Sequence, residues 1–381
     1  MKTITTGSDF SGVGAFDYAI NRVAEAKGFK HKRIYACDWD KFARITYAHN
    51  HGEPNYYPKD VYQREIPKES LDIYMTSPPC QAFSLAGKRL GKDDERGILF
   101  FNSLEFIKKN KPRFFIFENV KGLLSDDKGR TFGEWVRLLG GKSVNGLQVI
   151  FPDDESVPYH LYWQVLNSKD HGVPQNRERV FLIGIRDDSD NIFQFPKEEH
   201  LSKFLCDFLD DYVDDKYYIS NSAKEYLSKH KELHDKKGTG FGVTLKTGKD
   251  IASTIRANAS LCPTDNHILT GNRRVNETYI EHKKNITDKT IMDAWNNTIH
   301  KDISPTIHTR ITAAGYWNVF QNLMIRRLTP RECFRLQDFP ESFDYSVVSD
   351  SQAYKQAGNS ITVRVLEKIL LQLPILWNLN N

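Results

Sequence analysis

The chain has 381 residues, 39% hydrophobic and 27% charged, with a formal net charge of +4. That is material for one large domain, or one large and one smaller. No run of about 18 apolar residues occurs and the N-terminal MKTITTGSDF lacks the apolar stretch of a secretory signal, so neither a membrane span nor export is expected and a cytoplasmic setting is. The five cysteines (Cys37, Cys80, Cys206, Cys262 and Cys333) are odd in number and scattered, which argues against a disulfide framework and against a cysteine-based zinc site. Mild basicity permits nucleic-acid binding without implying it.

In chain order, TITTGSDF reads as a strand, followed by a glycine-bearing turn and the helical period of AFDYAINRVAEAKGF. KRIYACD and DKFARITYAHN are the next strand and helix. LDIYMTSPP is a strand running into a proline-rich loop, residues 97–109 are helical, and RFFIFENV is a short buried strand. YHLYWQVLN and RVFLIGIR add two more strands. Alternating strands and helices predict an α/β fold, with a mostly parallel, Rossmann-like sheet and helices on both faces. Ligands of such sheets collect at the carboxyl ends of the strands.

The pattern changes after Phe195. Residues 207–215 are densely acidic, and 236–274 are richer in Gly, Lys and Arg with weak strand signals. Residues 197–330 are expected to form a smaller, irregular, mostly-β domain, with 1–196 and 350–381 making the main domain and 331–349 a hinge segment. The acidic run is either a solvated helix face or a surface turned from nucleic acid. Lys246, Lys249, Arg256, Arg273 and Arg274 are either phosphate contacts or ordinary surface charge.

Four strings carry candidate chemistry. In DFSGVG, residues 9–14, glycines allow a tight turn and close backbone approach to a ligand, and Asp38 at the end of the second strand can bind ribose hydroxyls. Asp17 replaces the third glycine of a dinucleotide fingerprint, so a nucleoside without phosphates fits better than a pyrophosphate. Trp39 either stacks on an adenine ring or covers a sheet edge. In SPPCQ, residues 77–81, two prolines present Cys80 at a strand's carboxyl end, beside the polar loop SLAGKRLGKDDERG. A cysteine so flanked is placed like a nucleophile, and about 83–97 is a candidate lid. Glu118 ends a very apolar strand, so burial should raise its pKa and let it donate a proton near neutral pH; the alternative is a turn cap. Arg177 and Arg179, two apart in QNRER, share one strand face and suit a phosphate or carbonyl oxygen, or else form surface salt bridges.

Taken in order, DFSGVGAF, CDWDKFA, SPPCQAFSLAGK, RGILFF, FFIFENVKG, GVPQNRERVFLIGIR, RRLTPRECFRLQDFP and YKQAGNSITVRVL resemble the DNA cytosine-5 methyltransferase family, over most of the chain outside 197–320. The resemblance implies a Rossmann-like methyltransferase sheet, S-adenosylmethionine as cofactor, double-stranded DNA as partner, and no metal. It makes Cys80 the nucleophile toward a flipped cytosine, with Pro79 shaping its loop beside the cofactor. Glu118 would hold and protonate the base edge, Arg179 would contact the base, and Arg177 would join them in the catalytic set. Phe10, Ser11, Gly12, Gly14, Asp38, Trp39, Asp60, Val61, Leu99, Asn359 and Ile361 would line the cofactor pocket. Gln81, Ser84, Lys88, Arg89, Arg256, Thr306 and Arg310 are candidate DNA contacts. Asp38 stands where Glu is usual, Ala15 where glycine is common, and residues 140–160 look like an insertion.

The reading is thus a monomeric, nucleoid-associated modification methylase, with a cognate restriction endonuclease as a functional partner only. A tRNA cytosine-5 methyltransferase would share the motifs. A nicotinamide-dependent (NAD) oxidoreductase would explain only the glycine turn and Asp38, and a non-catalytic DNA-binding protein would leave the chemistry residues idle.

Overall fold

Strands that are apolar on both faces need cover on both sides. In the computed structural model, which describes residues 1–79, 98–237, 243, 245–257, 262, 265–270, 290–293, 298–301, 316–318 and 324–377, β1 (Thr3–Asp9), β2 (Lys30–Cys37), β3 (Ile73–Thr76) and β4 (Phe114–Val120) run parallel in the order β2-β1-β3-β4. The crossovers hold α1 (Ala15–Lys27), α2 (Lys41–His51) and α3 (Ile98–Asn110). Period-two alternation sorts the β4 side chains between two cores. Phe114 and Ile116 join Ala19, Ile20 and Val23 of α1 on one face. Phe115 and Phe117 join Phe106 of α3 and Trp135 of α4 (Arg130–Leu139) on the other.

Beyond β4 the sheet becomes mixed. β5 (Ser143–Val144) and β6 (Leu147–Gln148) form a hairpin at the far edge, so the insertion-like stretch extends the sheet. β7 (His160–Asn167), β8 (Gln175–Asn176) and β9 (Glu178–Ile185) follow, giving an eight-stranded order β2-β1-β3-β4-β9-β7-β5-β6 among the described residues. β9 is antiparallel to both β4 and β7. The link from β7 to β9 is too short to hold a crossover helix, so those neighbours must pair antiparallel.

The rest comprises α5 (Asn221–Lys237), β10 (Leu245–Lys246), β11 (Ala252–Ser253), β12 (His267–Thr270), β13 (Thr290–Asp293), β14 (Thr298–Lys301), β15 (Tyr316–Asn318), β16 (Met324–Arg327), α6 (Pro330–Arg335), α7 (Asp350–Asn359) and α8 (Val363–Leu370). Small sheets β10-β12-β16 and β14-β13-β15 form here, and β11 pairs with β8. Packing shows no break at residue 197: Leu205, Phe208, Tyr217, Ala252, Ile255 and Ile268 share the first core with Ile4 and Leu366. The segment expected as a hinge places Phe334, Leu336, Phe339 and Phe343 in that same core, which a bending connector would not supply. Nor is the acidic run a solvated helix face. It is not helical between Phe208 and Asp215, and Asp210 accepts from Arg335 Nη1 at 2.6 Å and Thr329 Oγ1 at 3.2 Å. No helix among the described residues is long and apolar enough to cross a membrane.

Candidate active site

Strand register brings the distant motifs together. Asp9 of β1 lies opposite Cys37 of β2 and Thr76 of β3, and Thr76 lies opposite Phe117 of β4. Phe10, Asp38, Ser77 and Glu118, each one residue further on, therefore share the carboxyl edge of the parallel strands, where such sheets bind ligands.

At the end of β1 the chain turns through left-handed conformations at Phe10 (φ 56), Gly12 (φ 55) and Gly14 (φ 87), and at the last two positions glycine removes the steric cost. A Cβ on Gly14 would sit 2.1 Å from His51 Nε2. Ser11 N donates to Cys37 O at 3.0 Å. Asp38 is buried, and its two oxygens accept from Gly12 N at 2.7 Å and Asp40 N at 2.8 Å. Burial pushes its carboxyl up, and those N–H groups pull it back. Trp39 is 84% exposed, so it covers no sheet edge and its indole face is open for stacking. Val61 is buried in the second core, with Phe10 and Leu99 partly buried against it. Asp60 Oδ1 accepts from Tyr62 N at 2.8 Å, holding the turn before Val61.

At the position of the missing third glycine, Asp17 is buried, takes the Tyr47 hydroxyl at 2.8 Å and faces Arg33 at 3.4 Å. A carboxylate there disfavours a pyrophosphate. An open indole, a buried carboxylate and a loop without Cβ obstruction suit a phosphate-free nucleoside. Lys355 of α7 pairs with Asp40, the N-cap of α2, at 2.6 Å, docking α7 near this edge. Asn359 ends α7 exposed, and Ile361 is buried in the first core.

Glu118 is 7% exposed, and Arg179 Nε lies 3.1 Å from its Oε1. Burial raises the Glu118 pKa, with the Arg179 and Arg177 guanidiniums opposing. Asn119, which the sequence reading passed over, donates through Nδ2 to Pro78 O at 3.1 Å, and Ser77 Oγ reaches Phe10 O at 3.4 Å. These bonds fix the chain where it leaves β3, at Ser77 and Pro78, just before exposed Pro79. The only sequence signal for Asn119 was its place beside Glu118. Cys80, Gln81, Ser84, Lys88, Arg89, Thr306 and Arg310, and the candidate lid, lie outside the described residues.

One expectation needs correction. Arg177 does not pair with Arg179 toward a ligand: its buried guanidinium donates to Ile255 O at 3.2 Å, Gly358 O at 3.0 Å and Ser360 O at 2.5 Å. It ties β9 to the β11 segment and to the end of α7. Arg256, a candidate DNA contact, stays partly exposed while its Nε and Nη2 both reach Asp265 Oδ1, at 3.0 and 2.6 Å.

A family model described as C-5 cytosine-specific DNA methylase matches residues 4–374. Type II methyltransferase M.HpaII of Haemophilus parainfluenzae is 34% identical over 379 residues, covering 97% of this chain and 90% of that protein. Orphan methyltransferase M.SPRI of Bacillus phage SPR is 30% identical over 455 aligned positions, covering 98% of each. Among solved structures, a DNMT2 mutant of Spodoptera frugiperda superimposes with a TM-score of 0.68 at 19% identity, over 97% of this chain and 98% of that one. That likeness speaks to the fold alone.

Proposed function

This chain belongs to the C-5 cytosine-specific DNA methylase family, and from that premise we propose that it is a sequence-specific modification methylase using Cys80 as nucleophile and S-adenosylmethionine as donor. The observation that carries the reading is Glu118: a buried carboxyl with a raised pKa, at the carboxyl edge of the sheet, with a guanidinium on one oxygen. The Type II naming of relatives such as M.HpaII supports a place beside a cognate endonuclease.

The cofactor supplies an electrophilic methyl group. Asp38 would hold ribose hydroxyls on its remaining lone pairs, the exposed Trp39 indole would cover the adenine, and the left-handed loop at residues 10–14 would let backbone N–H groups come close. The target carbon is buried in duplex DNA, so the cytosine must be flipped out. Cys80 thiolate adds to carbon 6, breaking the ring's aromaticity. Glu118 gives a proton to N3, absorbing the charge that develops, and carbon 5 becomes an enamine-like nucleophile that would take the methyl group as the S–CH3 bond breaks, leaving S-adenosylhomocysteine. Loss of the carbon-5 proton to solvent then expels Cys80 as the thiolate, N3 returns its proton to Glu118, and the ring is restored. Covalent catalysis of this kind divides one hard step into easier ones. Arg179 keeps the Glu118 carboxyl oriented from its Nε.

Duplex oligonucleotides carrying 5-fluorocytosine in the chain's own target sequence, mapped first by bisulfite sequencing, test this directly. Fluorine blocks release, so a covalent complex resistant to denaturation should form with wild-type protein and cofactor, and not with Cys80→Ser. Absence of the complex, or labelling of total tRNA in place of duplex DNA, would overturn the reading.

A further inference from the structure

Arg64 lies in no motif, four residues past Asp60 in the connection from α2 to β3. Its guanidinium is buried and every nitrogen is engaged. Nε and Nη2 hold the two oxygens of Asp9 at 3.0 and 2.7 Å, Nη1 donates to Val61 O at 2.6 Å, and Nη2 also reaches Asn102 O at 3.4 Å. Tyr74 and Tyr35 hydroxyls donate to the same carboxylate at 2.6 and 3.3 Å. Asn102 Nδ2 donates back to Val61 O at 3.0 Å, and the Phe106 ring lies 5.0 Å from the Arg64 Cζ.

A buried ion pair is a poor way to gain stability, because desolvation offsets the attraction and apolar side chains would pack the space at less cost. What this pair does supply is geometry. Asp9 immediately precedes Phe10, whose φ of 56 opens the loop after β1. Val61 follows Asp60 in its turn. Asn102 sits one turn along α3 from Leu99, on the same face. One planar fork thus touches three separate segments, each carrying residues assigned above to the cofactor.

We propose that Arg64 is a positioning residue for the cofactor pocket: through Asp9, Val61 O and Asn102 O it sets the spacing of the loop after β1, the 60–63 turn and the first turns of α3. The inference rests on the reading of that pocket given under Proposed function. Burial raises the Asp9 pKa, and the Arg64 guanidinium with the Tyr74 and Tyr35 hydroxyls opposes that rise.

Arg64→Lys keeps a cation for Asp9 but replaces the fork with a point charge that cannot also span two carbonyls. Asn102→Ala removes one donor to Val61 O and leaves the ion pair intact. Calorimetric affinities for S-adenosylmethionine and for S-adenosylhomocysteine should weaken by about tenfold in Arg64→Lys and by roughly threefold in Asn102→Ala. Affinity for a DNA duplex, and kcat at saturating cofactor, should stay at wild-type values. A folded Arg64→Lys that binds cofactor like the wild type overturns the inference. Equal losses toward DNA and cofactor do so too, since they mark a merely structural role. If circular dichroism shows Arg64→Lys unfolded, Asn102→Ala decides, and unchanged cofactor affinity there is the overturning result. Failure of the wild type to bind S-adenosylmethionine at all would instead remove the pocket reading and the inference with it.

Discussion

At Glu118 burial and a neighbouring guanidinium act in opposite senses, and burial prevails. A carboxyl with a raised pKa keeps its proton to higher pH than an exposed glutamate. The protonated form is the donor to N3, so methyl transfer should fall as pH rises through that raised value. Glu118→Gln fills the same space and can still touch the base, but has no proton to give. Single-turnover transfer should drop by about 10²–10⁴-fold, the alkaline limb should vanish, and cofactor affinity should hold. An alkaline limb that persists in the variant would assign the acid elsewhere. The burial of Glu118 was legible in the sequence because FFIF leads directly into it. The separation of Arg177 from Arg179 was not, since its carbonyl partners lie 78, 181 and 183 residues away. Asp9 and Arg64 escaped for the same reason: a buried pair 55 residues apart leaves no local pattern.

At the scale of elements, the alternation of strands and helices through β4 could be read off hydrophobic period, because each strand there faces two covered sides. Strand direction could not. Period reports burial, and only the short link into β9 dictates that it turns antiparallel. The docking of α7 against the β11 segment was equally hidden, though a glycine marks it. A Cβ on Gly358 would lie 2.2 Å from Ala257 N and 2.3 Å from Arg256 C, backbone atoms that cannot step aside cheaply. Gly358→Ala should cost about 1–3 kcal/mol or more by overpacking, read as a lower urea midpoint. Gly133, inside α4, has nothing within 4 Å of its Cβ position, so Gly133→Ala should stabilise by ~0.5–1 kcal/mol through helix propensity alone. Equal effects at the two sites would mean that the α7 contact is not a tight one.

For the whole molecule, the two ends of the described chain are one structural unit. α8 lies against α1, with Val365, Leu366 and Ile369 sharing a core with Ile4, Ala19 and Ile20. Since α1 begins directly after Gly14, the late helix braces the element that anchors the glycine loop, although it brings no reacting group. Leu366 is fully buried, and Leu366→Ala should cost ~2–5 kcal/mol from lost burial and the cavity left behind. The measurement is a urea unfolding curve alongside kcat and cofactor KM at a temperature well below the transition. Stability should fall while both kinetic constants stay close to wild type, because the α8 face meets the helix body and not the loop. A fall in cofactor affinity at unchanged stability would mean that strain from α8 reaches Gly14 along α1, and the pocket would then be set from the far core as well as from Arg64.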